Sequence, residues 1–304
     1  MYRRANRSYA REAMSDQPMN AIVDIDRYPL EDTTKHADLL SRCRAEWAAN
    51  GSFSLEGFLR PDALKQCVAE IDPVMIERSY HHAARHNIYF SNADDIPEAI
   101  NAPSLAQRSS NHTLTADQLD GMIIRRVHHW PPLARFLESV LDKPALFAMA
   151  DPMAGVNVMS YREGDQIGWH FDRAEFTVTL LLRRPDHGGM FQFRRNLRGP
   201  RDPNHGGVVT LLSGKDLDVT DLPIEAGTLN VFAGYRSPHR VTPTRGSTPR
   251  MVAVLSYMEA PNVVFSAEDR LRFYGRADPS DPVPGTAADR TDTSTSVVNP
   301  PSRP

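Results

Sequence analysis

Between about residues 153 and 259 the chain is cut into short runs of alternating character, separated at close intervals by Gly, Pro and Asp. The runs are Val156–Tyr161, Phe176–Leu182, Met190–Phe193, Val208–Leu212, Thr228–Phe232 and Met251–Tyr257. Period-two alternation with frequent breakers predicts strands, and evenly spaced short strands favour a β-barrel or sandwich. Before this stretch, from about 34 to 150, the pattern is mainly helical. Ala37, Leu39, Leu40, Cys43 and Trp47 form a stripe stopped by Asn50-Gly51. Ser52 to Leu59 alternates like a strand. Pro61-Asp62 opens a second helix through Leu64, Cys67, Val68 and Ile71, and Pro131 to Leu141 reads as another with proline in its first turn. The expected architecture is mainly β with a helical N-terminal half bracing the β core.

The ends differ from this core. Residues 1–20 are Arg-rich with no apolar run behind them, which excludes a secretory signal, and Met14 and Met19 are alternative starts. Residues 277–304 hold six prolines and no aromatic residue. Too little apolar surface is available there to offset ordering entropy, so both ends are expected to be disordered. One domain is expected over 21–276, with 21–150 as helical support and substrate lid and 151–260 as the β core.

A net charge of -3 lacks the basic excess of a nucleic-acid binder. The cluster Arg194, Arg195, Arg198 and Arg201 is read as solvated loop charge. No apolar run reaches membrane-spanning length. Cys43 and Cys67 have no partners at metal-ligand spacing and are expected to be reduced in a cytoplasmic protein. A small-molecule partner is expected, without nucleic acid or membrane, and the chain is compatible with a homodimer.

The chemistry concentrates in Gly168-Trp169-His170-Phe171-Asp172, Ser237-Pro238-His239-Arg240-Val241, and Arg250. Residues two apart on an extended chain leave the same face, so His170 and Asp172 can take adjacent corners of an octahedron. His239 from a distant strand completes a 2-His-1-carboxylate face, which leaves positions open and favours Fe(II) chemistry with oxygen. Zinc is more often held tetrahedrally. Arg250 shares a strand face with Val252 and Val254. If that face is internal, an unpaired guanidinium there is costly, and a bound carboxylate removes the cost. A metal face with a buried arginine points to a chelating keto acid.

On His170-x-Asp172, His239 and Arg250 the chain resembles the Fe(II)/2-oxoglutarate-dependent dioxygenase superfamily. The resemblance implies a double-stranded β-helix (jelly-roll, cupin-like) core over about 150–260. It also implies Fe(II), 2-oxoglutarate and O2 as cofactor and co-substrates, with 2-oxoglutarate decarboxylated to succinate. Val156–Tyr161, Gly164–Asp172, His86-Asn87-Ile88-Tyr89-Phe90 and Phe176–Leu182 are similar to the free-amino-acid radical halogenases and their hydroxylating relatives, over about 35–260. Those halogenases carry a small residue where Asp172 stands, so the departure implies hydroxylation.

Asn157 and Tyr161, on the preceding strand, are offered as co-substrate or substrate contacts. Arg85, His86, Asn87, Tyr89 and Thr242 are offered as substrate contacts. Trp169 and Phe171 are expected to pack away from the metal. The pairs His81-His82 and His128-His129 are read as structural or surface groups, because neighbours on one element point apart. Gly188-Gly189 and Gly227 are read as turns. The function expected is hydroxylation of a free or modified amino acid. The alternatives weighed are a protein or peptidyl hydroxylase and a non-catalytic cupin-like metal-binding or sensor protein.

Overall fold

A computed structural model describes residues 17–90 and 96–285. Seven α-helices occur among the described residues: α1 (Met19–Ile22), α2 (Ala37–Asn50), α3 (Pro61–Arg78), α4 (Ile123–His128), α5 (Pro131–Leu141), α6 (His205–Leu212) and α7 (Ala267–Tyr274). The strands are β1 (Ser52–Leu55), β2 (Tyr80–His86), β3 (Gln107–Leu114), β4 (Phe147–Ala148), β5 (Val156–Tyr161), β6 (Gln166–His170), β7 (Thr177–Arg183) and β8 (His187–Gly188). They continue with β9 (Phe191–Arg194), β10 (Val219–Leu222), β11 (Leu229–Phe232), β12 (His239–Val241), β13 (Thr244–Arg245), β14 (Arg250–Leu255) and β15 (Tyr257–Met258).

Eleven strands join in one curled antiparallel sheet, in the order β1-β11-β7-β14-β5-β3-β6-β12-β9-β10, with β2 also on β3. Strand β3 is where the two leaves meet. Its His112–Leu114 half pairs with β5, and its Ser109-Ser110 half pairs with β6. The curled sheet with its helices is the double-stranded β-helix expected from the sequence.

Alternation sorts the large leaf into two faces. Val156, Val158, Val178, Leu180, Leu182, Leu229, Val231, Met251, Ala253 and Leu255 form the core with the helices. Helix α5 shows why the helices dock there. It starts with proline, which lacks only an N–H that would have no helical partner, and it ends at Asp142 in the left-handed region. Its buried stripe of Leu133, Phe136, Leu137, Val140 and Leu141 belongs to the same core as that sheet face. Each such side chain contributes about 1.5–3 kcal/mol on burial. The opposite sheet face carries Tyr161, Leu181, Val252 and Arg250, and lines the interior.

The N-terminal half is mainly helical as read, and two other readings are corrected. Strands β2 and β3 also lie in that half. Their sequences, YHHAARH and QRSSNHTL, have no apolar period; strand pairing, not local pattern, makes them strands. Val208–Leu212 is helix α6 and not a strand. The Asn204 side chain caps it by accepting from Gly207 N, and Val208 and Leu211 turn the same way into a small core with Trp169 and Phe171. Finally, described structure reaches into both ends expected to be disordered. Ile22 is fully buried at the end of α1. Residues 277–285 form turns in which Asp281 accepts from Ala277 N and Asp278 N, with Val283 buried. The rest of those two expectations, 1–16 and 286–304, lies outside the described residues. Cys43 and Cys67 are both buried and free, as read. No helix among the described residues is long and apolar enough to cross a membrane.

Candidate active site

His170 and His239 lie directly opposite each other across the β6–β12 pairing, and the next pair, Ile167 with Val241, is displaced by one residue. This bulge at Gly168-Trp169 adds a residue to β6, so Ile167 and His170, three apart, both face the interior. Gly168 permits it. A Cβ there would lie 2.7 Å from Gln107 Cβ and 3.0 Å from the Arg108 carbonyl on the neighbouring strand. Trp169 and Phe171 turn into the core shared with α6, as expected.

The three ligands converge. His170 Nε2 and His239 Nε2 each stand 3.5 Å from Asp172 Oδ1. These three residues are the one described group of this kind whose ligand atoms all lie within 4.8 Å of one another. Each imidazole Nδ1 donates to the carbonyl two residues earlier, Gly168 at 2.8 Å and Ser237 at 3.1 Å. That fixes the tautomer and turns both Nε2 lone pairs to the centre. Burial, then His239, pushes the His170 pKa down, which favours the ligating neutral form. Burial alone would raise the Asp172 pKa, but His239 and His170 hold it well below the usual carboxylate range. Both imidazoles are packed: His239 among Phe191 and Phe232, His170 edge-on to Phe90.

The carboxylate is locked from behind. Thr177 Oγ1 donates to Asp172 Oδ2 at 2.5 Å, and Asp172 N donates to the Gly234 carbonyl at 3.1 Å. A Cβ on Gly234 would sit 2.2 Å from Oδ2, so only glycine leaves room for the carboxylate. Oδ2 is thereby engaged, and Oδ1 is the oxygen presented to a metal.

Arg250 faces the same interior from β14, opposite Tyr161 on β5, with its guanidinium 5.6 Å from the Tyr161 ring centroid. It is 5% exposed, and Nη1 is buried with no hydrogen-bond partner. Burial pushes its pKa down. A buried guanidinium of this kind needs an anion. Tyr161, whose pKa burial pushes up to about 12, supplies a neutral wall. Ile167, Leu181 and Val252 continue the wall. Three neutral-imidazole and carboxylate donors, with an orphaned buried arginine on the same inner face, fit Fe(II) and a keto diacid.

The remaining candidates are distributed as follows. Asn157 lies on the Tyr161 side of β5, about 13 Å further along the strand. Its amide is already engaged, donating to the Met153 carbonyl at 2.8 Å and accepting from Tyr274 Oη at 2.9 Å. Thr242 Oγ1 accepts from Met190 N at 2.9 Å in a strand connection. Arg85 is exposed on β2. His86 hydrogen-bonds Ser109 Oγ at 2.6 Å through Nε2 and stacks on Phe90 at 4.1 Å; burial pushes its pKa down to about 4. The Asn87 side chain accepts from Tyr89 N, and the Tyr89 ring stacks on Phe171 at 5.4 Å. So His86 and Tyr89 pack against the metal shell, whereas Arg85 does not.

Sequence reading missed Thr177, Gly234, Phe90 and Arg198. Phe90 adopts φ +52, an unusual conformation for a bulky residue, and its carbonyl accepts from Arg272 on α7. Thr177 lies in the alternating run Phe176–Leu182, but alternation alone does not mark it as the donor to Asp172. Gly227 at positive φ matches the turn expected for it, whereas Gly188, also at positive φ, lies in β8 opposite Thr244.

A family model, halogenase D, matches residues 35–268. The chain belongs to the halogenase D family. With its fold and facial triad, this family member is an oxygenase of the Fe(II)/2-oxoglutarate-dependent superfamily. Solved structures agree on the fold. The non-heme alpha ketoglutarate dependent epimerase SnoN from nogalamycin biosynthesis is 16% identical, with a TM-score of 0.50 over 73% of this chain and 83% of that one. AviO1 from Streptomyces viridochromogenes Tue57 is 14% identical, with a TM-score of 0.51 over 73% of this chain and 96% of that one. No curated protein matches.

Proposed function

We propose that this halogenase D family member hydroxylates an unactivated carbon of a small, amino-acid-like molecule. The observation that carries the reading is Asp172. Halogenation in the relatives it resembles depends on a small residue at this place, which opens a metal position to halide. Here a carboxylate fills the place, held by Thr177 and seated on Gly234.

The residues present define the division of labour. His170, His239 and Asp172 Oδ1 would hold the iron and leave its other positions to co-substrate and oxygen. Arg250 would seat the distal carboxylate of 2-oxoglutarate, with Tyr161 beside it. The loaded centre supplies the oxidant, one oxygen atom of O2 entering the substrate and the other entering succinate as CO2 leaves. The protein's own contribution is orientation and exclusion of water. Phe90, Phe191 and Phe232 around the imidazoles keep the surroundings apolar.

The test is a mass-spectrometric screen of amino acids with Fe(II), 2-oxoglutarate and chloride. A product heavier by one oxygen, with matching succinate, supports the reading. A chlorinated product, or no succinate with any substrate, overturns it.

A further inference from the structure

The bulge that turns His170 inward interrupts the pairing of β6. The β3–β6 ladder pairs Ser110 with Gln166 and Ser109 with Ile167, and it ends where the bulge begins. On a regular β6, Trp169 would share the interior face of Ile167, and His170 would point the other way. The irregular backbone therefore decides whether the metal has its first ligand. Its N–H groups need acceptors that strand pairing no longer supplies.

Two side chains of β3 supply them. Gly168 N donates to Ser109 Oγ at 3.1 Å, and Trp169 N donates to Gln107 Oε1 at 3.0 Å. Gln107 Nε2 donates to the Leu105 carbonyl at 2.7 Å, which fixes the end of the amide that faces β6. Ser109, Gly168 and Trp169 are all buried, so water is a poor substitute for either acceptor. The two oxygens favour the bulged backbone over the regular one.

The Ser109 bond also belongs to a relay that starts at the ligand. His170 Nδ1 donates to the Gly168 carbonyl at 2.8 Å, and the N–H of the same glycine donates to Ser109. His86 Nδ1 donates to the Asn87 carbonyl at 2.9 Å, which leaves Nε2 of the neutral ring to accept from the Ser109 hydroxyl at 2.6 Å. Every donor in the relay points away from the metal. Bonds aligned in this way polarise one another and strengthen the His170 Nε2 lone pair.

We propose that Gln107 and Ser109 are positioning residues that clamp the β6 bulge by the N–H groups of Trp169 and Gly168 and so aim His170 at the metal. Neither needs to touch metal or substrate to do this. The proposal rests on metal binding by His170, Asp172 and His239, and not on the reaction proposed above.

The experiment titrates the full chain with Co(II). Affinity is measured by competition with a chelator, and the visible spectrum of the saturated protein reports the ligand geometry. Ser109→Ala is expected to lower the affinity about 10–100-fold, as loss of a supporting bond to a metal ligand does, and to change the spectrum. Gln107→Met keeps the volume without the acceptor and should act in the same direction. Ser109→Thr keeps the hydroxyl and should recover most of the affinity. Melting curves of the metal-free proteins separate positioning from stability. A lower melting temperature with wild-type affinity and spectrum makes the two side chains merely structural and overturns the proposal, as does a Ser109→Ala protein that matches wild type throughout. If Ser109→Ala does not fold, Gln107→Met decides by the same readouts; failure of both to fold also overturns it. A wild type that binds no Co(II) removes the metal site itself, a result distinct from variants that bind more weakly.

Discussion

Thr177 Oγ1 donates to Asp172 Oδ2 at 2.5 Å, and this bond decides which carboxylate oxygen the metal meets. Thr177→Val keeps the shape and removes the donor. Loss of such a supporting bond typically lowers metal affinity about 10–100-fold. Competition with a chromophoric chelator measures it, and Thr177→Ser is expected to retain most of the affinity. Equal affinity in Thr177→Val would show that packing alone positions the carboxylate.

Gly234→Ala puts a methyl where Asp172 Oδ2 now lies, 2.2 Å away. The expected result is loss of metal binding with the far-ultraviolet circular dichroism preserved, because Gly234 is outside the strands. Metal binding at the wild-type level would mean that the β11–β12 connection yields easily.

Asp172→Gly is expected to abolish the proposed hydroxylation while opening a metal position next to Thr177 and Gly234. Weak halide binding to the metal-loaded variant is the accompanying expectation, read by calorimetry with chloride and bromide. Unchanged hydroxylation would remove Asp172 from the ligand set.

Arg250→Met removes a buried guanidinium whose Nη1 has no partner. Thermal stability without 2-oxoglutarate should be equal or higher, because a buried charge is replaced by apolar volume. The stabilisation that 2-oxoglutarate gives the wild type should disappear. Metal affinity should remain. A collapse of iron loading instead would make Arg250 structural.

His128 provides a pH prediction away from the metal. It is 1% exposed, its Nε2 hydrogen-bonds the Ser256 carbonyl at 2.8 Å, and burial pushes its pKa down to about 4. Because the folded pKa is below the unfolded one, the unfolded chain takes up more protons between the two. The contribution to stability is therefore complete above about pH 6.5 and is lost as pH falls toward 4, on the order of 3 kcal/mol in all. Urea midpoints from pH 7 to 4 should fall less steeply in His128→Asn than in wild type. Parallel slopes would show that His128 is already protonated or uncovered in the folded state.

The legible part of the site was the part carried by spacing. His170-x-Asp172, a distant His239 and Arg250 on an apolar strand are recognisable because metal coordination and carboxylate binding demand those residue types in a β context. Helix α5 was legible because its burial stripe has the helical period. Strands β2 and β3 were not, because polar sequences become strands only when a neighbouring edge supplies their hydrogen bonds. The stacking of Arg198 was not legible for a similar reason: Phe171, Tyr235 and Tyr89 come from three separate stretches of chain, and nothing near Arg198 in sequence announces them.

The sequence by itself determined the ligand chemistry, the β core and the family to which both belong, because each is written in residue type and period. The tertiary structure alone decided that a bulge turns His170 inward, that Thr177 and Gly234 select one oxygen of Asp172, and that one loop arginine stacks on Phe171 and Tyr235. Those outcomes depend on distances between segments far apart in the chain, and a one-dimensional pattern does not encode distance across a fold.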